Sequence, residues 1–216
     1  VTSRVERLVV PGRIGVDGDT CAHDTNVWCC GDERECAVID PAGDVSALLE
    51  LAGATPVKAI LVTHAHDAHI SAAVGLAEAT GGLIFLHQDD FPLWVVQYPS
   101  RRPDVNVVDG MSLVMGGVRL RALHTPGHTP GGVCWYAPDL GVVFTGDTLG
   151  PGRPGGVDHA DSDYDSLQSS IRKSLFTLPT DTVVHPGHGE DTRIGSVRWD
   201  PTFWGSTGRW RHDAGR

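Results

Sequence analysis

No run of apolar residues in this chain approaches the ~20 that span a bilayer. Nor does a basic N-terminal segment lead into a shorter apolar run, so neither a membrane span nor a signal peptide is expected. Positive charge is scarce as well: 17 Lys and Arg face 27 Asp and Glu, a formal charge of −10. Such a surface gains little from counterion release, which argues against nucleic acid and anionic membranes as partners. An anionic small-molecule substrate stays open, because a bound divalent cation inverts the local potential. Cys-x-x-Cys pairs are absent. Cys21, Cys29, Cys30, Cys36 and Cys134 are odd in number, and four of them crowd near the N-terminus. That fits reduced thiols in a cytoplasmic protein better than a disulfide framework. It also disfavours a zinc knuckle built from Cys21, Cys29, Cys30 and Cys36. Gly-x-Ser-x-Gly is missing too, which weakens a serine hydrolase reading.

What is present describes a folded, loop-rich protein. The 216 residues are 40% hydrophobic, with 27 Gly and 14 Pro, enough for one domain over 1–216 with its core at about 5–195. Residues 27–39 carry β-type side chains and end in the turn signal Asp40-Pro41-Ala42-Gly43. A short helix is expected over 45–52, and the apolar run 59–62 suits a strand buried on both faces. Ile70, Ala73, Val74 and Ala77 recur at helical spacing until Gly81-Gly82 stops the helix. Strands follow at 83–86, 118–123, 132–136 and 142–145, then a helix bearing Leu167, Ile171 and Leu175, and a last strand at 182–184. Alternation of this kind is an α/β pattern with helices packed outside the sheets. The tail 196–216 holds Trp199, Phe203, Trp204 and Trp210, expected to cover a core edge or a subunit contact, as in a homodimer.

The histidines are the informative feature. His64-Ala65-His66-Asp67-Ala68-His69 follows the strand at 59–62 directly, and on an extended backbone His64 and His66 point to one side. Strand ends opening into loops are where an open α/β sheet keeps its site. Neutral imidazole is a common ligand for zinc and also suits iron. Further along, His124-Thr125-Pro126-Gly127-His128, Thr145-Gly146-Asp147-Thr148 and His185-Pro186-Gly187-His188-Gly189 each place a His or an Asp in a turn after a strand.

Taken together, these motifs resemble the five-motif signature of the metallo-β-lactamase superfamily, from about residue 25 to 190. Their spacing is similar to the glyoxalase II and persulfide dioxygenase branch. The resemblance implies an αββα sandwich of two mixed sheets with helices on the outer faces and metal at one sheet edge. It also implies one ion held by His64, His66 and His128, with Asp147 bridging to a second ion that takes His69 and His188. His124 and His185 fall outside the ligand positions, and Asp40 matches a supporting position.

The pattern breaks at one place. The family motif reads His-x-His-x-Asp-His, but here Ala68 stands at the ligand acid and Asp67 comes one residue early. A retained first site with a weakened second one is therefore expected, with Asp67 as a candidate substitute acid. The resemblance implies a hydrolase of a thioester or similar activated acyl compound, carrying one or two zinc ions. There a metal-bound hydroxide would attack, since a bound ion lowers the pKa of its water to about 7. The alternatives are a persulfide dioxygenase using one ferrous ion on His64, His128 and Asp147, and a noncatalytic binding protein on the same scaffold. Without the helical C-terminal region of glyoxalase II proper, a low-molecular-weight thiol other than glutathione is the expected carrier. Arg153 is a candidate contact for an anionic group.

Overall fold

The computed structural model describes residues 3–16, 19–157 and 159–199. The chain opens with β1 (Arg4–Val10), a small hairpin of β2 (Arg13–Val16) and β3 (Asp19–Ala22), and a second hairpin of β4 (Thr25–Gly31) and β5 (Cys36–Ile39). Next come α1 (Val45–Ala52), β6 (Val57–Leu61), α2 (Asp67–Ile70), α3 (Ala73–Thr80), β7 (Leu83–His87), α4 (Phe91–Gln97) and β8 (Val105–Val107). The second half runs through β9 (Ser112–Met115), β10 (Val118–His124), β11 (Val133–Ala137), β12 (Val142–Gly146) and the two-residue strands β13 (Leu149–Gly150) and β14 (Arg153–Pro154). It closes with α5 (Tyr164–Ser170), β15 (Val183–Pro186), β16 (Thr192–Arg193) and α6 (Ile194–Arg198).

Two six-stranded sheets result, ordered β1-β4-β5-β6-β7-β8 and β16-β15-β12-β11-β10-β9. Both are mixed: β5, β6, β7 and β8 run parallel in the first, β12 and β15 in the second. Three apolar layers explain why these strands are apolar on both faces. Trp28, Ile39 and Leu61 from one sheet meet Leu120, Trp135 and Phe144 from the other. The outer face of the first sheet (Val38, Ile60, Ile84) packs against Leu48, Leu76 and Trp94. The outer face of the second (Val143, Val184) packs against Leu167, Ile171 and Ile194. This is the αββα sandwich that the resemblance implied, with helices outside two facing sheets. No helix among the described residues is long and apolar enough to cross a membrane.

The structure refines the expected elements. The β-type residues 27–39 are shared between β4 and β5. Asp32 breaks them into a hairpin, its carboxylate accepting from the Arg34 and Glu35 N–H groups at 2.8 and 3.2 Å. The helix expected from Ile70 to Thr80 is split, because Ala72 N–H donates to the Pro41 carbonyl at 3.0 Å instead of continuing the ladder. The zinc knuckle is excluded as well: Cys29 and Cys30 alternate into different apolar layers, so their sulfurs leave opposite faces of β4. Cys29, Cys30, Cys36 and Cys134 are free and buried. Of the tail aromatics, Trp199 is 70% exposed and lies against Arg198 rather than covering a core edge. Phe203, Trp204 and Trp210 lie outside the described residues.

Where the sheets meet at their open edge, β12 ends in a glycine with a left-handed backbone. At Gly146 φ is +48°, and a Cβ there would collide with the Thr63 side chain at the end of β6. At Gly152 φ is +72° with open space around it. G152A therefore bears the left-handed penalty alone, about 1–2 kcal/mol, and G146A costs more because Thr63 must also move. Denaturant midpoints should rank wild type, G152A, G146A; equal losses for the two variants would contradict the close approach.

Candidate metal centre

Each strand end at this edge delivers one motif, and buried hydrogen bonds fix its direction. Asp40 leaves β5 with φ +53°. Its carboxylate accepts from the Thr63 N–H and hydroxyl, both at 2.7 Å. With its one proton on Asp40, the Thr63 hydroxyl must accept from His64 Nδ1 at 3.1 Å, so His64 presents Nε2 as a lone pair. That atom is buried and has no hydrogen-bond partner among the described residues. His128 is oriented the same way by Nδ1–H donation to the Gly156 carbonyl at 2.6 Å. His188 donates Nδ1–H to the Asp24 carbonyl at 2.7 Å, and Asn26 holds its loop through the Pro186 and Gly189 carbonyls. His69 turns Nδ1 to Asp40 at 3.2 Å. Four imidazoles thus face inward through Nε2. His66 faces inward through Nδ1, 3.0 Å from His128 Nε2.

The structure brings six of the sequence-predicted residues together. Donor atoms of His64, His66 and His128 lie within 4.8 Å of one another, as do those of His69, Asp147 and His188. Asp147 sits between the halves. Its Oδ2 is 4.0 Å from His64, 3.5 Å from His128 and 3.4 Å from His188, and its Oδ1 is 3.5 Å from His69. A buried imidazole nitrogen with no partner among the described residues, close to His66 and to His128 with its far nitrogen already bonded, is the arrangement a transition-metal ion satisfies. The donor set fits one.

Comparisons with known proteins give the family. The metallo-beta-lactamase superfamily model matches residues 22–188. The chain belongs to this superfamily. It is similar to the hydroxyacylglutathione hydrolase GloC of Haemophilus influenzae, 32% identical over 195 residues covering 83% of this chain and 91% of GloC. Among solved structures it is similar to TTHA1623 in a di-iron-bound form, with 32% identity, TM-score 0.72, and coverage of 90% of this chain and 100% of that one. ETHE1 from Myxococcus xanthus shows 28% identity and TM-score 0.72, covering 85% and 81% of the two chains.

His64, His66 and His128 all stand together as the resemblance implied, while Ala68 stands where that pattern carries an acid. Asp67 does not turn inward. It is exposed, and its Oδ1 accepts from the Ala68 N–H at 2.8 Å at the start of α2. His124 and His185 also stay outside. His185 pairs with Asp191 at 3.1 Å. His124 donates Nε2–H to the Pro130 carbonyl at 3.0 Å and stacks on His87 at 4.1 Å and 12°. His87, Asp89 and His124 do bring donors within 4.8 Å. Their parallel rings, however, keep the in-plane lone pairs from meeting at one ion.

Three residues beside the centre carry no motif and were not singled out in the sequence. His159 lies 4.2 Å from the His66 ring, and His23 lies 3.8 Å from the His188 ring. Asp90 is fully buried beneath the loops of the first half. Of the three, only Asp90 left a trace in sequence, as an acid between a strand and a helix.

Electrostatics separate the two halves. Burial lowers His64, His66 and His128, and neighbouring imidazoles, His69 and His159 included, add to it; His66 falls to about 3. Burial would lower His69 too, but the charges and hydrogen bonds of Asp147 and Asp40 outweigh it and raise His69 to about 10. Burial opposes ionisation of Asp147, yet His188 and His69 hold it well below the usual carboxylate range. In the metal-free protein the first half is therefore neutral, and the second is an Asp147–imidazolium pair. The raised His69 stabilises the metal-free fold fully below its ordinary pKa of about 6.5, and that contribution is lost as pH rises through about 10. Ions displace protons from their ligands, so near neutral pH an ion entering the second half should release about one proton more than an ion entering the first. Calorimetry in buffers of different ionisation enthalpy measures the difference; equal release from both steps would contradict it.

Proposed function

We propose that the chain is a metal-dependent hydrolase of a thioester or similar activated acyl compound, working mainly from the first half of the centre. The observation that carries this reading is the orphaned His64 Nε2, set among His66, His128 and an ionised Asp147. When bound, a zinc or iron ion supplies a Lewis acid and an acidified water. The protein residues do the rest. His64 and His128 would hold the ion with their tautomers fixed in advance, and His66 would join them through Nδ1. Asp147 orients the attacking water by accepting its hydrogen. A thiolate leaving group, with a parent thiol pKa of about 8.5, needs no dedicated acid, and the reading gives Asp67 no part.

A cavity of about 370 Å³ opens beside Asp147 and His188, walled by Gly150, Pro151, Arg153 and Pro154. Its size suits a small acyl group, and Arg153 at its wall suits an anionic one. The GloC relative, by its name a hydroxyacylglutathione hydrolase, supports the reaction class. A mononuclear iron persulfide dioxygenase is the second reading. It is favoured by Ala68, which leaves the second half with only His69, Asp147 and His188, and by the ETHE1 likeness.

The purified protein loaded with zinc, manganese or iron should release thiol from small acyl thioesters, and H128A should lower that rate by at least about 100-fold, as expected when an ion and its water are lost. Thioesters left intact under every metal would refute hydrolysis, whereas iron content with oxygen uptake on glutathione persulfide would install the second reading. A68D should raise the metal bound per chain toward two equivalents. Unchanged stoichiometry would mean that Ala68 is not what weakens the second half.

A further inference from the structure

Asp90 lies where the turn after β7 enters α4, and it is 0% exposed. Among the described residues its carboxylate meets no cation. Instead Oδ2 accepts from the Ala65 N–H and the Thr129 hydroxyl, both at 2.9 Å, and Oδ1 accepts from the Gly131 N–H at 2.6 Å. Ala65 separates His64 from His66, and Thr129 follows His128. One carboxylate therefore grips the immediate neighbours of all three imidazoles in the first half, across two loops that come from different sheets. Gly131 makes the third bond possible: a Cβ there would sit 2.5 Å from Asp90 N and 2.8 Å from its carboxyl carbon. Burial of Asp90 works against its ionised form and raises its pKa, and the three donors offset only part of that cost. A group held against its own desolvation, with every bond aimed at ligand loops, is doing more than filling space.

We infer that Asp90 is the positioning residue of the first half, clamping the His64–His66 loop to the His128 loop at ion-binding separation before any ion arrives. The inference rests on the metal-centre reading above. Asp90 touches no imidazole and acts only through backbone and the Thr129 hydroxyl. Asp40 is its counterpart on the other side, holding Thr63 and His69. Through Thr63 the Asp40 carboxylate also supports His64, so it braces both halves, whereas Asp90 reaches only the loops of the first, and disturbing Asp90 should leave the second half nearly intact. A purely architectural Asp90 would behave differently, lowering stability while leaving ion affinity unchanged in whatever fraction remains folded.

The test titrates the metal-free full chain with cobalt(II), reading ligand-field absorption and calorimetric affinity at a temperature where circular dichroism shows every variant folded. D90N keeps the shape but must turn an amide donor toward at least one of the three donors, and T129V removes one bond alone. First-ion affinity should fall about 10- to 100-fold in D90N, the range seen when partners behind metal ligands are lost. T129V should lose several-fold, both with altered cobalt spectra, while the second equivalent stays close to wild type. If D90N does not fold, T129V decides. Wild-type affinity and spectrum in the folded variants, or an equal loss for both equivalents, would overturn the assignment of Asp90. A native chain that takes up no cobalt would instead overturn the metal-centre reading, and this inference with it.

Discussion

Five imidazoles and a carboxylate meet at one sheet edge, in a largely buried place where unpaired polar atoms are costly. The protein tolerates the gathering because nearly every ring nitrogen that faces away from the centre is already bonded: to Thr63, the Gly156 carbonyl, the Asp24 carbonyl and Asp40. What remains unsatisfied points inward. That constraint organises the rest of the molecule, since two facing sheets are the means of bringing residues 64, 128, 147 and 188 to one point. The glycines at 146 and 187 let the backbones come close enough: Gly187 N–H donates to the Gly146 carbonyl at 2.8 Å, and a Cβ at 187 would sit 2.5 Å from Asp147 Oδ1.

The two halves of the centre are unequal for a physical reason. On the side of His64, His66 and His128 the rings are neutral, and no proton stands between them and an ion. On the side of His69 and His188, Asp147 has drawn a proton onto His69, and no acid at position 68 competes for it. An Asp at 68 would have added negative charge where the second ion sits. Ala68 leaves that charge out, and Asp67, turned to its own helix start, does not restore it.

Much of this was legible in the sequence because the ligands sit in short motifs directly after apolar strands, and strand-end position is a local property. The six donors in the His64–His69, His128, Asp147 and His188 motifs are the ones that converge. What stayed hidden depends on contacts with no local signature. Asp90 reads as an acid before a helix, and only the fold reveals that its carboxylate reaches Ala65 and Gly131, 25 and 41 residues away. His23 and His159 come from loops without periodicity. β1 escaped notice because its seven residues are only partly buried at a sheet edge, so its apolar alternation is weak. The split between α2 and α3 depends on the Pro41 carbonyl, an acceptor that periodicity cannot see.

Anomalous scattering from crystals of the metal-loaded protein tests the central claim most directly. The account predicts the strongest peak at the point shared by His64 Nε2, His66 Nδ1 and His128 Nε2, with a weaker one or none between His69 and His188. A strongest peak elsewhere in the chain, or three rings turned away from a common point, would contradict it.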